Sequence, residues 1–153
     1  MLLKSFAIVV VTPLLVATAA QAHSHKFKTL EIVHPWCIET EDTAKPVVVS
    51  MTIKNAGSKP DRLLRASASS AVKAELRAGV PPDAEGGVIA SIPVDGRGGV
   101  NLKRGGPHIL LTGVKKQLSP YDSFLMTLVF QRAGKVEVEV MVEEASVLEP
   151  AKH

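Results

Sequence analysis

Val136-Glu137-Val138-Glu139-Val140-Met141-Val142 alternates valine with glutamate or methionine at every step. Successive side chains of a strand point to opposite faces, so a period of two puts the valines on a buried face and the glutamates on a wet one. A helix would scatter both types around its axis. Working outward, Leu30-Glu31-Ile32-Val33, Val47 to Ile53, Val88 to Val94, Ile109 to Val114 and Phe124 to Phe130 are short runs rich in β-branched residues, the composition of strands. Turn chemistry separates them at Asn55-Ala56-Gly57, Pro81-Pro82-Asp83, Asp95-Gly96, Gly105-Gly106-Pro107, Ser119-Pro120 and Ala133-Gly134. This spacing predicts an all-β domain, an antiparallel β-sandwich of about seven to nine strands. Ser69 to Arg77 stays open between two states. Ala71, Ala74, Glu75 and Leu76 favour helix, whereas Val72, Ala74 and Leu76 alternate as in a strand.

The N-terminus carries the three zones of a secretory signal: Lys4, an apolar run from Phe6 to Ala20, and the small-x-small site Ala20-Gln21-Ala22. Cleavage is therefore expected after Ala22. The apolar run is about 15 residues and contains Pro13, short of the roughly 20 that a bilayer span requires. Charged residues interrupt every later apolar stretch, so the processed protein is expected to be exported, soluble and not membrane-spanning. The chain divides into residues 1–22 as leader, 23–145 as one domain and 146–153 as a flexible tail.

One cysteine, Cys37, excludes an internal disulfide, so stability must come from packing and strand ladders. The net charge of +3 is modest, and the basic residues are scattered with no aromatic residues between them to stack bases. No nucleic-acid surface is expected. There is no Gly-x-Ser-x-Gly elbow, no His-Glu-x-x-His and no phosphate-cradling glycine loop. An enzyme is not expected.

Ile32-Val33-His34-Pro35-Trp36, Met51-Thr52-Ile53-Lys54-Asn55-Ala56-Gly57, Asp61-Arg62-Leu63-Leu64, Gly105-Gly106-Pro107-His108-Ile109-Leu110-Leu111 and Leu128-Val129-Phe130 with Ala133-Gly134 follow one another in a fixed order. Together they resemble the periplasmic copper chaperone family PCuAC, over about residues 29 to 142. The resemblance implies a cupredoxin-like β-sandwich in the bacterial periplasm that carries copper towards oxidase assembly. It also implies a site of two histidines and two methionines, soft thioethers suiting Cu(I) and imidazole either oxidation state.

The sequence departs from that pattern at three positions. Arg77 stands where the first histidine follows Glu75-Leu76, Ser91 where the first methionine is expected, and Leu110 where the closing His-x-Met ends. Only His108 of the set is present, and a lone imidazole does not hold Cu(I) tightly. A shifted alignment does not restore the site, because no histidine lies between His34 and His108 and no methionine between Met51 and Met126.

Cleavage after Ala22 would leave His23-Ser24-His25 as the mature terminus. The α-amine, two deprotonated backbone amides and the His25 imidazole can supply the four planar nitrogens that Cu(II) prefers, with the His23 imidazole competing. His23, His25 and His108 are thus the candidate metal ligands. His34 and Trp36 are expected to be framework and core. Cys37 is free, paired between molecules or a ligand: it is expected to be a buried small hydrophobe next to Trp36, or a soft Cu(I) ligand if it faces the loop end. Met51, Met126 and Met141 are expected to belong to core or sheet surface. Two functions compete: a periplasmic copper-binding, chaperone-like protein with an altered site, or a metal-free module whose sandwich binds another envelope or oxidase-assembly protein.

Overall fold

A computed structural model describes residues 23–79 and 86–148. The leader, the Pro81-Pro82-Asp83 turn and the last residues of the tail lie outside that range. Ten strands follow in order: β1 Ser24–Phe27, β2 Leu30–Ile38, β3 Val47–Asn55, β4 Asp61–Ala68, β5 Ala71–Arg77, β6 Ile92–Val94, β7 Gly98–Leu102, β8 His108–Val114, β9 Ser123–Phe130 and β10 Gly134–Glu143. A 3-10 turn at Ala145–Leu148 comes after them. The fold is all-β, as expected, with ten strands rather than seven to nine.

The strands form one continuous sheet, β5-β8-β3-β2-β10-β9-β4-β6, with β1 added to β2 and β7 to β3. Every pairing is antiparallel except β2 with β10, which run parallel at Trp36 and Met141. The sheet curls so that β4 meets β5 and β6 meets β3 and β7. A barrel-like sandwich results, and its interior takes one face of every long strand.

The alternation that fixed β10 holds. Val138, Val140 and Val142 are buried, Val136 packs at the rim of the core, and Glu137 and Glu139 face water. The segment Ala71–Arg77 is a strand, because β8 offers it a full ladder from Ala71 with Val114 to Arg77 with His108. Tertiary pairing outweighs its fair helix propensity here. The core includes Ile32, Val49, Ile53, Leu63, Ile92, Ile109, Leu111, Met126 and Leu128. Met51 and Met126 lie inside it, whereas Met141 is half-buried on the opposite face of β10.

One irregularity sets the faces of β2. The ladder with β3 pairs Val33 with Thr52 and then Trp36 with Ser50, so β2 holds one extra residue. Pro35 has no N–H to donate at this point, and His34 before it turns into the left-handed region at φ 50°. Such a conformation costs a non-glycine residue about 1–2 kcal/mol. The bulge shifts the alternation by one. Leu30 and Ile32 point inward before it, Pro35 and Cys37 after it. Trp36 is therefore not the core residue expected from sequence. It lies half-buried on the outer face and stacks on His34, with ring centroids 6.0 Å apart.

Asp61 is buried and ties two distant parts of the chain. Its carboxylate accepts from the amides of Arg132 at 2.8 Å and Ala133 at 2.9 Å, fixing the β9–β10 turn against β4. Gly99, at φ 154°, has a similar close role, since a Cβ there would meet the Ile53 carbonyl oxygen at 2.1 Å. Replacing Asp61 by Ala leaves two turn amides unpaired, and should lower unfolding free energy by about 2 kcal/mol in urea. A loss below about 0.5 kcal/mol would show that water replaces the carboxylate without cost.

Candidate metal centre

His108 opens β8, directly after the turn Gly105-Gly106-Pro107, in which Gly105 takes φ 83°. Lys103 N donates to Pro107 O at 3.0 Å and Gly106 N to Lys103 O at 3.0 Å, so the turn is closed by its own backbone. The His108 ring is buried, with Nδ1 2.8 Å from Gly106 O. A carbonyl oxygen only accepts, so Nδ1 carries the proton and Nε2 keeps its lone pair. Metal-binding imidazoles are commonly held in this way.

Its neighbours on the sheet are a guanidinium, an alkyl side chain and a carboxylate already held by two cations. Arg77 is paired directly across the ladder from His108, and Leu110, one ladder step of two residues on, lies opposite Glu75. These four side chains share the face of the sheet turned away from the core, by strand alternation. Arg77 is held firmly: Nε donates to Glu75 Oε2 at 3.1 Å, Nη2 to the same oxygen, and Nη1 to Gly86 O at 2.9 Å. Backbone contacts from Ala78 to Gly87 and from Ile89 to Leu76 fasten the returning segment beside it. The guanidinium is a fixed cation where a metal would need an electron pair. Ser91 precedes β6 and accepts from Arg62 Nη1 at 3.1 Å; no hydrogen bond or strand pair among the described residues joins it to His108.

Glu75 lies between Lys73 and Arg77. The hydrogen bond from Lys73, then that from Arg77, hold its carboxyl below the usual carboxylate range. A lowered folded pKa stabilises the fold above the unfolded value of about 4.3, and that contribution is lost as pH falls through the folded value.

His23 and His25 belong to the β1 edge. His23 is exposed and His25 half-buried opposite Ile32. The amide of His34 donates to His23 O at 2.8 Å. Because hydrogen-bonded pairs alternate along an antiparallel ladder, the His25 amide is turned towards β2 as well. A planar four-nitrogen chelate needs that amide nitrogen. Chelation at the terminus and docking of β1 therefore compete for one group.

Cys37 is buried, and burial first, then the charge of Glu143, pushes its thiol up to about 12. It is a protonated small hydrophobe at neutral pH, not a thiolate ligand. Among the described residues, no three His, Cys, Asp or Glu side chains come together as a metal cage.

Residues 30–142 match the family described as "Putative lipoprotein LpqE-like". The chain belongs to the LpqE-like family. Solved structures of PCuAC domains share its fold. The apo PCuAC domain from PmoF1 superposes with a TM-score of 0.70 at 25% identity, over 80% of this chain and 99% of that one. The copper-bound PCuAC domain from PmoF2 gives 0.68 at 24%, over 80% and 98%. Cu(I)-DR1885 from Deinococcus radiodurans gives 0.63 at 20%, over 84% and 86%. No curated protein matches this sequence.

Two measurements check this LpqE-like centre. Below about pH 4.3 the stability of the wild type should fall with pH, and Glu75→Gln should flatten part of that limb; an unchanged slope would separate Glu75 from the Arg77 anchor. Cys37 should resist a thiol reagent in the native protein and react fully in urea, whereas rapid native labelling would contradict its burial.

Proposed function

We propose that this protein is a periplasmic, copper-binding member of the PCuAC-type proteins whose internal ligand set is degenerate. The observation that carries this reading is the pairing of Arg77 with His108 inside a fold shared with copper-carrying domains. The imidazole keeps the orientation of a ligand, while its surroundings supply a cation and an alkyl group in place of soft donors. His108 is then a relic of the site. Cu(II) is carried instead by the His23-Ser24-His25 end once the leader is cut after Ala22 and that end lifts from β2 to free the His25 amide.

Export rests on the sequence of residues 1–22 and is in keeping with a family described as lipoproteins. Cys37 is not the attachment point of a lipid, being buried within β2. Among the described residues, no helix is long and apolar enough to cross a membrane. The rigid Arg77 anchor specifically favours a second reading, a metal-free module that docks another envelope or oxidase-assembly protein. Copper titration separates the two.

In the exported protein, Cu(II) should give the visible band of four planar nitrogens, lost in His25→Ala or when one residue is added before His23. His108→Ala should leave the band unchanged. Joining the ligands in one short segment removes the cost of gathering them separately, so the terminus binds first. Loss of Cu(II) in His108→Ala with retention in His25→Ala would restore the internal site, and absence of binding altogether would favour the metal-free module.

A further inference from the structure

The bulge that turns Trp36 outward also carries His34 to the same face, beside the end of β10 at Glu143. His34, His23, Met141, Val142, Glu143, Glu144 and Tyr121 line one cavity of about 360 Å³. It is a different place from the His108 centre. Along the strand registers, His108, Ser50, Trp36 and Met141 lie in a row across β8, β3, β2 and β10 on the outer face. Three strand spacings separate the two ends of that row, about 14 Å.

Three features of the cavity point to a soft cation. His34 Nε2 lies 2.7 Å from Glu143 Oε1, so the carboxylate takes the hydrogen bond of that N–H and leaves Nδ1 with its lone pair. A carboxylate on the far nitrogen is how metal-binding imidazoles are fixed in one tautomer. His23 is level with His34 in the β1–β2 register, and the backbone bond from His34 N to His23 O holds the two together at 2.8 Å. Met141 is half-buried and brings a thioether to the same cavity.

We propose that His23, His34 and Met141 form a Cu(I) site at this end of the sheet, with Glu143 as the positioning residue that orients His34. Two imidazoles and a thioether are a soft set suited to Cu(I). The site needs neither His25 nor the backbone amides, so it is compatible with β1 docked on β2, the state in which the four-nitrogen Cu(II) chelate is blocked. The inference rests on the reading that the protein handles copper, and its donors are chosen so that each can fail alone.

The test is titration of the exported protein with Cu(I), anaerobically and against a chromophoric Cu(I) chelator. One Cu(I) should be retained by the wild type. Met141→Leu, His34→Ala and His23→Ala should each weaken it at least tenfold, while His25→Ala, His108→Ala and an added residue before His23 should not. Glu143→Ala should weaken it by about ten- to a hundredfold, and Glu143→Gln should recover most of that loss. Met141→Leu conserves volume and should keep the urea midpoint, so its effect on copper is not one of folding. Retention of Cu(I) in both Met141→Leu and His34→Ala, its loss in His108→Ala, or no Cu(I) binding by the wild type would each overturn the proposal. The Cu(II) band, which depends on His25, reports on the terminal chelate whichever way this experiment falls.

Discussion

Pro35 cannot donate a hydrogen bond to β3, and the arrangement of one whole face follows from that missing N–H. The ladder absorbs it with one extra residue, His34 turns left-handed, and every side chain of β2 beyond the bulge changes face. Cys37 goes into the core, where its thiol is silenced. Trp36 goes out, level with Met141 on the parallel neighbour β10 and with Ser50 on β3. Had the ladder run on unbroken, Trp36 would occupy the core and Cys37 would face the outer surface with Glu143 near it.

The same outer face carries both copper hypotheses. At one end His108 is buried and held in a single tautomer, but the residue across the ladder is a guanidinium bonded to Glu75 and to the Gly86 carbonyl. The guanidinium offers no lone pair to a metal, and its charge is taken up by Glu75. At the other end the charges are reversed in sense: Glu143 and Glu144 flank His34 and His23, and Met141 adds a polarisable sulfur. Under the proposed reading, the fold is kept while copper is bound at the end of the face that carries carboxylates rather than at the end that carries Arg77.

Much of the fold was legible because the burial of a strand face is local information. Val138, Val140 and Val142 alternate without exception, and no other periodicity accommodates them. Strands built from small or polar residues were not legible. β4 ends in Arg65-Ala66-Ser67-Ala68 and β7 begins with Gly98-Gly99, so neither has the β-branched run that marks a strand. Their strand character comes from partners, β9 for one and β3 for the other. Of the candidate site, the neighbourhood of Arg77 and His108 was readable from motif order, and the β5–β8 ladder pairs the two residues. The cavity of His34, His23 and Met141 was hidden, since these residues lie far apart in sequence and meet only through a bulge and a parallel pairing. The His34-Pro35 step, a histidine ahead of a residue that cannot pair, was the one local signal available.

The central claim is that copper binds at the β1 end of the outer face and not at His108. Paramagnetic broadening of backbone amides by substoichiometric Cu(II) measures this most directly in the exported protein. Broadening should be confined to β1 and its β2 and β10 neighbours, around Glu31, His34 and Glu143, while the amides of Arg77, His108 and Leu110 stay sharp. Early loss of the Arg77 and His108 signals with β1 unaffected would contradict the account and return copper to the internal site.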